Sequence, residues 1–180
     1  MESPLVQVNG LDFKLYIDQT TLQDRVQELG AAIRAKHPKE PPIFIGILNG
    51  AAIFMADLVR ASQIPCELTF TRLSSYQGLA SSGEVDILLP IKEDLTGRVV
   101  IVVEDIIDTG RTLSFFIPQL QALGPKRIEI ATLLHKPAAT QYPIPIDYLG
   151  FSIPNDFVIG YGLDFDGKGR ELPAIYQKVD

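Results

Sequence analysis

Apolar positions along the chain fall into two spacings, one helical and one strand-like, and the two alternate. Leu22, Val26, Leu29 and Ile33 recur at steps of four, three and four behind Thr21-Leu22-Gln23-Asp24, which has the spacing of a helix start. That pattern predicts a helix that stops before Pro38. After Pro41-Pro42, residues 43–48 form a short apolar run punctuated by Asn49-Gly50, a strand and its turn. A second helix is predicted from Ala51 to about Ala61, ending before Pro65. Residues 66–73 alternate apolar and polar side chains and read as a strand with one wet face. Residues 74–83 carry four serines and two glycines and read as a loop. Residues 85–89 are a strand, and Thr96-Gly97 makes the turn into residues 99–103, which are five consecutive β-branched residues. A helix is predicted from Thr112 to about Leu123, kinked where Pro118 removes a backbone donor. Strands at 127–134, 147–151 and 157–161 complete the pattern.

Strands interleaved with helices predict an α/β fold with a mainly parallel sheet flanked by helices. An unbroken Val/Ile run is the mark of a strand buried on both faces of such a sheet. Ligands of these sheets bind outside the carboxyl ends of the strands. Asn49-Gly50, the segment from Glu104 to Thr112, and Lys136 all follow predicted strand ends and should converge on one rim.

Composition narrows the setting. At 180 residues the chain is most simply one domain, long enough to bury roughly 70% of its unfolded surface. With 46% hydrophobic and 21% charged residues it is composed like an ordinary globular protein. No stretch approaches the roughly 20 apolar residues of a membrane span, and Met1-Glu2-Ser3-Pro4 has no secretion-signal pattern. The single cysteine, Cys66, excludes an internal disulfide and fits a cytoplasmic setting. Cys66 alternates with Leu68 and Phe70 and reads as core. A net charge of −6 argues against nucleic acid as a partner.

The candidate chemistry lies where the apolar run 99–103 meets Glu104-Asp105-Ile106-Ile107-Asp108-Thr109-Gly110-Arg111-Thr112. Glu104 and Asp105 should leave the strand on opposite sides, since side chains alternate. Carboxylates at a sheet edge can accept hydrogen bonds from a vicinal diol or hold Mg2+ through water. Asp108 is either a general base beside a bound diol or the N-cap of the next helix, and local pattern does not separate these. Thr109, Gly110, Arg111 and Thr112 suit an anion cradle at a helix start. Neither Gly-x-x-x-x-Gly-Lys nor Gly-x-Gly-x-x-Gly is present there, which disfavours a Walker-type hydrolase and a dinucleotide dehydrogenase. His37 and His135 lack a ligand constellation and read as structural.

A hydrophobic strand followed by Glu-Asp-Ile-Ile-Asp-Thr-Gly-Arg-Thr resembles the phosphoribosyl pyrophosphate (PRPP) signature of type I phosphoribosyltransferases, in the form of their hypoxanthine-guanine branch. The likeness runs in motif order from about Tyr16 to Arg170. It implies a small hood, from about 1–18 and 150–180, over the sheet of a single domain. It implies that Glu104, Asp105, Asp108, Thr109, Gly110, Arg111 and Thr112 bind PRPP. Leu48, Asn49 and Gly50 with Arg170 would bind pyrophosphate, and Ser74, Ser75 and Tyr76 would belong to a mobile catalytic lid. Lys136 in Leu133-Leu134-His135-Lys136-Pro137 would donate to a 6-oxo group. Phe157 and Val158 would stack on and contact the purine, and Asp164 would join Glu104 and Asp105 as a metal ligand for Mg2+.

The implied reaction is transfer of the 5-phosphoribosyl group from PRPP to N9 of hypoxanthine, and also guanine, in purine salvage, with Asp108 handling the N7 proton. The branch commonly forms homodimers or homotetramers. Two departures stand out: Asn49 replaces a frequent lysine, and Ala138-Ala139-Thr140 lacks an arginine that relatives often place nearby. Competing readings are transfer to another base such as xanthine, and a nucleotide sensor on the same fold that binds RNA.

Overall fold

The computed structural model describes residues 5–75 and 85–179. Its main sheet has six strands: β3 (Ile43–Leu48), β4 (Glu67–Ser75), β5 (Val85–Leu89), β6 (Val99–Ile107), β7 (Arg127–His135) and β8 (Tyr148–Ser152). They lie in the order β5-β4-β3-β6-β7-β8, all parallel except the edge strand β5. From the centre, β3 leads through helix α2 (Ala51–Ser62) towards one edge, and β6 leads through helix α3 (Arg111–Gln121) towards the other. The chain therefore diverges between β3 and β6. That divergence opens a crevice at their carboxyl ends, where α/β sheets bind ligands.

Residues 99–103 are fully buried because both sheet faces are covered. Ile101 and Val103 pack with α2 and with α1 (Gln19–Lys36), whereas Val100 and Val102 pack with Leu113, Phe116 and Leu120 of α3. Four antiparallel strands make a second sheet in the order β1-β2-β10-β9: β1 (Val6–Val8), β2 (Leu11–Ile17), β10 (Ile175–Lys178) and β9 (Val158–Ile159). Phe13 fills its core.

Several boundaries differ from the sequence expectation. Helix α1 starts at Gln19, capped by Asp18, whose carboxylate accepts from the Thr21 N–H (2.9 Å), so Thr21 lies inside the helix. Strand β6 runs on to Ile107. Glu104 and Asp105 are thus strand residues paired alongside β7, with Glu104 opposite Thr132. Ser74 and Ser75 belong to β4, paired with Asp86 and Val85, and are not in a loop. Helix α3 passes through Pro118 to Gln121, two residues short of the predicted end. The predicted strand 157–161 is reduced to Val158–Ile159, because the chain turns over at Gly160.

Candidate active site

The alternation along β6 sends Glu104 to the α3 side, with Val100 and Val102, and Asp105 to the α2 side, with Ile101 and Val103. On the α3 side, Glu104 and residues 106–113 surround a hollow of about 100 Å³. Its rim is the first turn of α3. Gly110 serves as N-cap without any side-chain cap, and its carbonyl accepts from the Ser114 N–H. Asp108 is therefore not the cap, which removes one of its two readings. The Thr109 hydroxyl accepts from the Arg111 N–H (3.3 Å), and the amides of Thr112 and Leu113 have no carbonyl one turn back to reach. The Asp108 carbonyl accepts from the Thr140 hydroxyl, and the Thr109 carbonyl from the Gln141 and Tyr142 amides. Free first-turn amides at the positive end of a helix form an anion site.

The sequence reading missed the brace behind this loop, residues 140–142. Gly110 has φ +79°, and a Cβ there would lie 2.2 Å from the Tyr142 carbonyl oxygen. Its small size thus serves packing against residues 140–142 as well as approach to a ligand. His135 Nε2 lies 3.0 Å from the Thr140 hydroxyl and belongs to the same brace. No local pattern announces that residues 140–142 fold back under residues 108–110.

On the other side, Asp105, Ile106, Asp108, Lys136, Phe157, Val158, Leu163 and Asp164 line a hollow of about 240 Å³. Lys136 follows β7 directly, and its amide donates to the Ile107 carbonyl at 2.9 Å. Its side chain is largely buried, with Nζ 3.7 Å from Oδ2 of half-exposed Asp108. A lysine shut in this way has few hydrogen-bond partners of its own and is fitted to donate to a ligand. Phe157 keeps an exposed ring. It packs edge-on with Phe165, with centroids 5.6 Å apart, and at a tilt with Phe13 at 6.3 Å.

The two hollows share Ile106 and Asp108, and Asp105 lines the second. The Leu48-Asn49 peptide is cis, and Gly50 lies against the Asp105 carboxylate. Asp105 also accepts from the Ile106 N–H at 2.8 Å. Arg170 sits nearby, bonding Asp164 (2.7 Å) and the Gly162 carbonyl. The other oxygen of Asp164 accepts from the Gly167 N–H (2.6 Å), so one oxygen closes its own turn while the other holds Arg170. Ser74 and Ser75 end β4, and Tyr76 lies outside the described residues.

Burial, reinforced by the neighbouring Asp105 charge, pushes the Glu104 carboxyl well above the usual carboxylate range. Burial also raises Asp105, partly offset by hydrogen bonds and by Arg170. Oε2 of Glu104 is closed off from solvent and has no hydrogen-bond partner. An orphaned buried carboxylate beside a second one is costly alone and fits a cation or a diol. No group of three or more ligating side chains occurs among the described residues, so a divalent metal here would take further ligands from substrate and water.

A model of the phosphoribosyl transferase domain matches residues 17–166. The hypoxanthine phosphoribosyltransferase of Salmonella typhimurium is 40% identical over 169 residues, which are 92% of this chain and 95% of that one. The bifunctional protein TilS/HprT of Listeria innocua is 41% identical over 163 residues. This chain covers only 25% of that protein's length. A crystal structure of a Bacillus anthracis hypoxanthine-guanine phosphoribosyltransferase superposes with a TM-score of 0.88 at 37% identity, covering 92% of this chain and 98% of that one. The chain belongs to the phosphoribosyltransferase family, in its hypoxanthine-guanine branch.

Proposed function

We propose that this chain transfers the 5-phosphoribosyl group of PRPP to N9 of hypoxanthine and guanine, releasing pyrophosphate and yielding IMP and GMP. The observation that carries this reading is the placement of Lys136 and Asp108 together, 3.7 Å apart, between an anion hollow and an aromatic wall. A 6-oxopurine against Phe157 and Val158 would accept from Lys136. A 6-amino group offers no acceptor there, and the unpaired lysine would cost about 1–3 kcal/mol. The 5′-phosphate would take the free amides of Thr112 and Leu113, the hydroxyls of Thr109 and Thr112 and the Gly110 amide, with Arg111 beside them.

Glu104 and Asp105 would hold the ribose hydroxyls and, with them, Mg2+. When bound, Mg2+ would lower the cost of charge on the departing pyrophosphate. Gly50 and the Leu48-Asn49 backbone would face pyrophosphate, with Arg170 and Asp164 beside it. Asp108 would take or share the purine N7 proton as N9 bonds to C1′. Ser74, Ser75 and Tyr76 would exclude water, the competing nucleophile. The setting would be cytoplasmic, the assembly a homodimer or homotetramer, and the extent of the single domain 1–180 with its hood from the chain's two ends. No helix among the described residues is long and apolar enough to cross a membrane.

Absorbance assays with PRPP, Mg2+ and each of hypoxanthine, guanine, xanthine, adenine and uracil test the reading. Turnover with hypoxanthine and guanine, abolished by EDTA, is expected. No product with any base, or UMP alone, would overturn it.

A further inference from the structure

Gly160, Tyr161 and Gly162 are three successive residues with positive φ (+102°, +49° and +104°). They turn the chain between Val158 and Asp164, and Tyr161 carries the only side chain among them. A non-glycine residue in this region is uncommon and persists where its surroundings fix it. Here the surroundings are specific. The Tyr161 ring is buried, its amide donates to the Leu172 carbonyl at 2.8 Å, and its hydroxyl donates to Oδ2 of Asp57 on α2 at 2.5 Å. Asp57 is also paired with Arg60 one turn on.

The same turn touches α2 at a second point. A Cβ on Gly162 would lie 2.2 Å from the Gly50 carbonyl oxygen, so the turn rests on the residue that caps α2. Residues 50 and 57 are seven apart, two helical turns, and so lie on one face of the helix roughly 10 Å apart along its axis. The turn is therefore held at two points on α2, and one of them, Gly50, is packed against Asp105. Val158 is fixed separately, by pairing with Gln177 of β10.

We propose that Tyr161 is a positioning residue, its hydroxyl on Asp57 acting as a latch that sets the 160–164 turn against Gly50 and thereby shapes the pyrophosphate side of the site. This rests on the phosphoribosyl-transfer reading above. Because the base side is held by β9 and β10, losing the latch should weaken PRPP and leave the purine unaffected.

The test compares wild type with Y161F, D57A and D57N, reading KM for PRPP and for hypoxanthine, calorimetric PRPP binding with Mg2+, and thermal melting. Y161F and D57A should raise the KM and Kd for PRPP up to about tenfold, as expected for one lost part-buried hydrogen bond. The KM for hypoxanthine should hold, and D57N, which keeps an acceptor oxygen, should stay near wild type. Unchanged PRPP binding in Y161F, or equal losses for both substrates, would overturn the latch while wild-type turnover still stood. A wild-type chain that binds PRPP without turnover would overturn the transfer reading, and the binding comparison would still decide the latch.

Discussion

Gly50 and Asp105 are in contact so close that a Cβ on Gly50 would fall 1.7 Å from Oδ2 of Asp105. The loop after β3 and the carboxylate near the end of β6 thus lock together across the divergence of the sheet, and neither can accept a side chain between them. Gly50→Ala must displace Asp105 or the loop. Misplacing reacting groups by about 1 Å can cost about 100-fold, so kcat/KM for PRPP should fall by at least roughly that factor. Steady-state kinetics on a variant that retains its far-ultraviolet circular dichroism measure this, and a wild-type kcat/KM would contradict it.

Asp108 loses its alternative reading as a helix cap, because Gly110 holds that position. Its carboxylate is half exposed, 3.7 Å from Lys136 Nζ. Asp108→Asn should lower kcat by about 10²–10⁴-fold, the usual worth of a general base, with little change in PRPP binding. Rapid-quench measurement of the chemical step reads this directly. Unchanged turnover would remove Asp108 from the mechanism.

On the proposed reading, Lys136 would be the group that distinguishes a 6-oxo from a 6-amino purine. Lys136→Met keeps much of the side chain's apolar length and removes its donors. Its kcat/KM for hypoxanthine should drop about 10–100-fold, with KM for PRPP close to wild type. A uniform loss for both substrates would show that Lys136 does no more than pack the strand end.

The sheet was legible because buried parallel strands write their burial as unbroken apolar runs, and residues 99–103 could hardly be anything else. The convergence of Asn49-Gly50, residues 104–112 and Lys136 on one rim was equally readable, since each lies at or just after a strand end. Other features had no local signature. Residues 140–142 support residues 108–110 through the Gln141 and Tyr142 backbone amides, which any sequence could supply, and through one hydroxyl, that of Thr140. Strand β2 does alternate, at Leu11, Phe13, Leu15 and Ile17. Its partner β10, however, lies more than 150 residues away, and nothing local pairs them. Tyr161 looked like part of a strand because its neighbours are apolar. Only its left-handed backbone, between two glycines, makes it a turn.

At the far end of the sheet, Glu129 is wholly buried and bonded by Tyr148 (2.6 Å), His37 (3.0 Å) and Lys36 (3.0 Å). Burial alone would raise its carboxyl, but these hydrogen bonds outweigh burial and hold it below the ordinary value of 4.5. A lowered carboxyl contributes stability that is present above pH 4.5 and lost as pH falls through its lower folded value. Glu129→Gln should therefore cost about 3 kcal/mol near neutral pH, with the difference from wild type shrinking in acid. Urea denaturation at pH 7 and near pH 4 measures it, and a difference independent of pH would contradict the account.

The central claim is that one rim, between β3 and β6, brings PRPP to a 6-oxopurine. The most direct test is a single competition reaction: PRPP and Mg2+ with equal hypoxanthine, guanine, adenine and uracil, nucleotides separated by chromatography and pyrophosphate quantified alongside. The account predicts IMP and GMP, one pyrophosphate for each, and no AMP or UMP. AMP or UMP as the main product, or pyrophosphate released without any nucleotide, would contradict it.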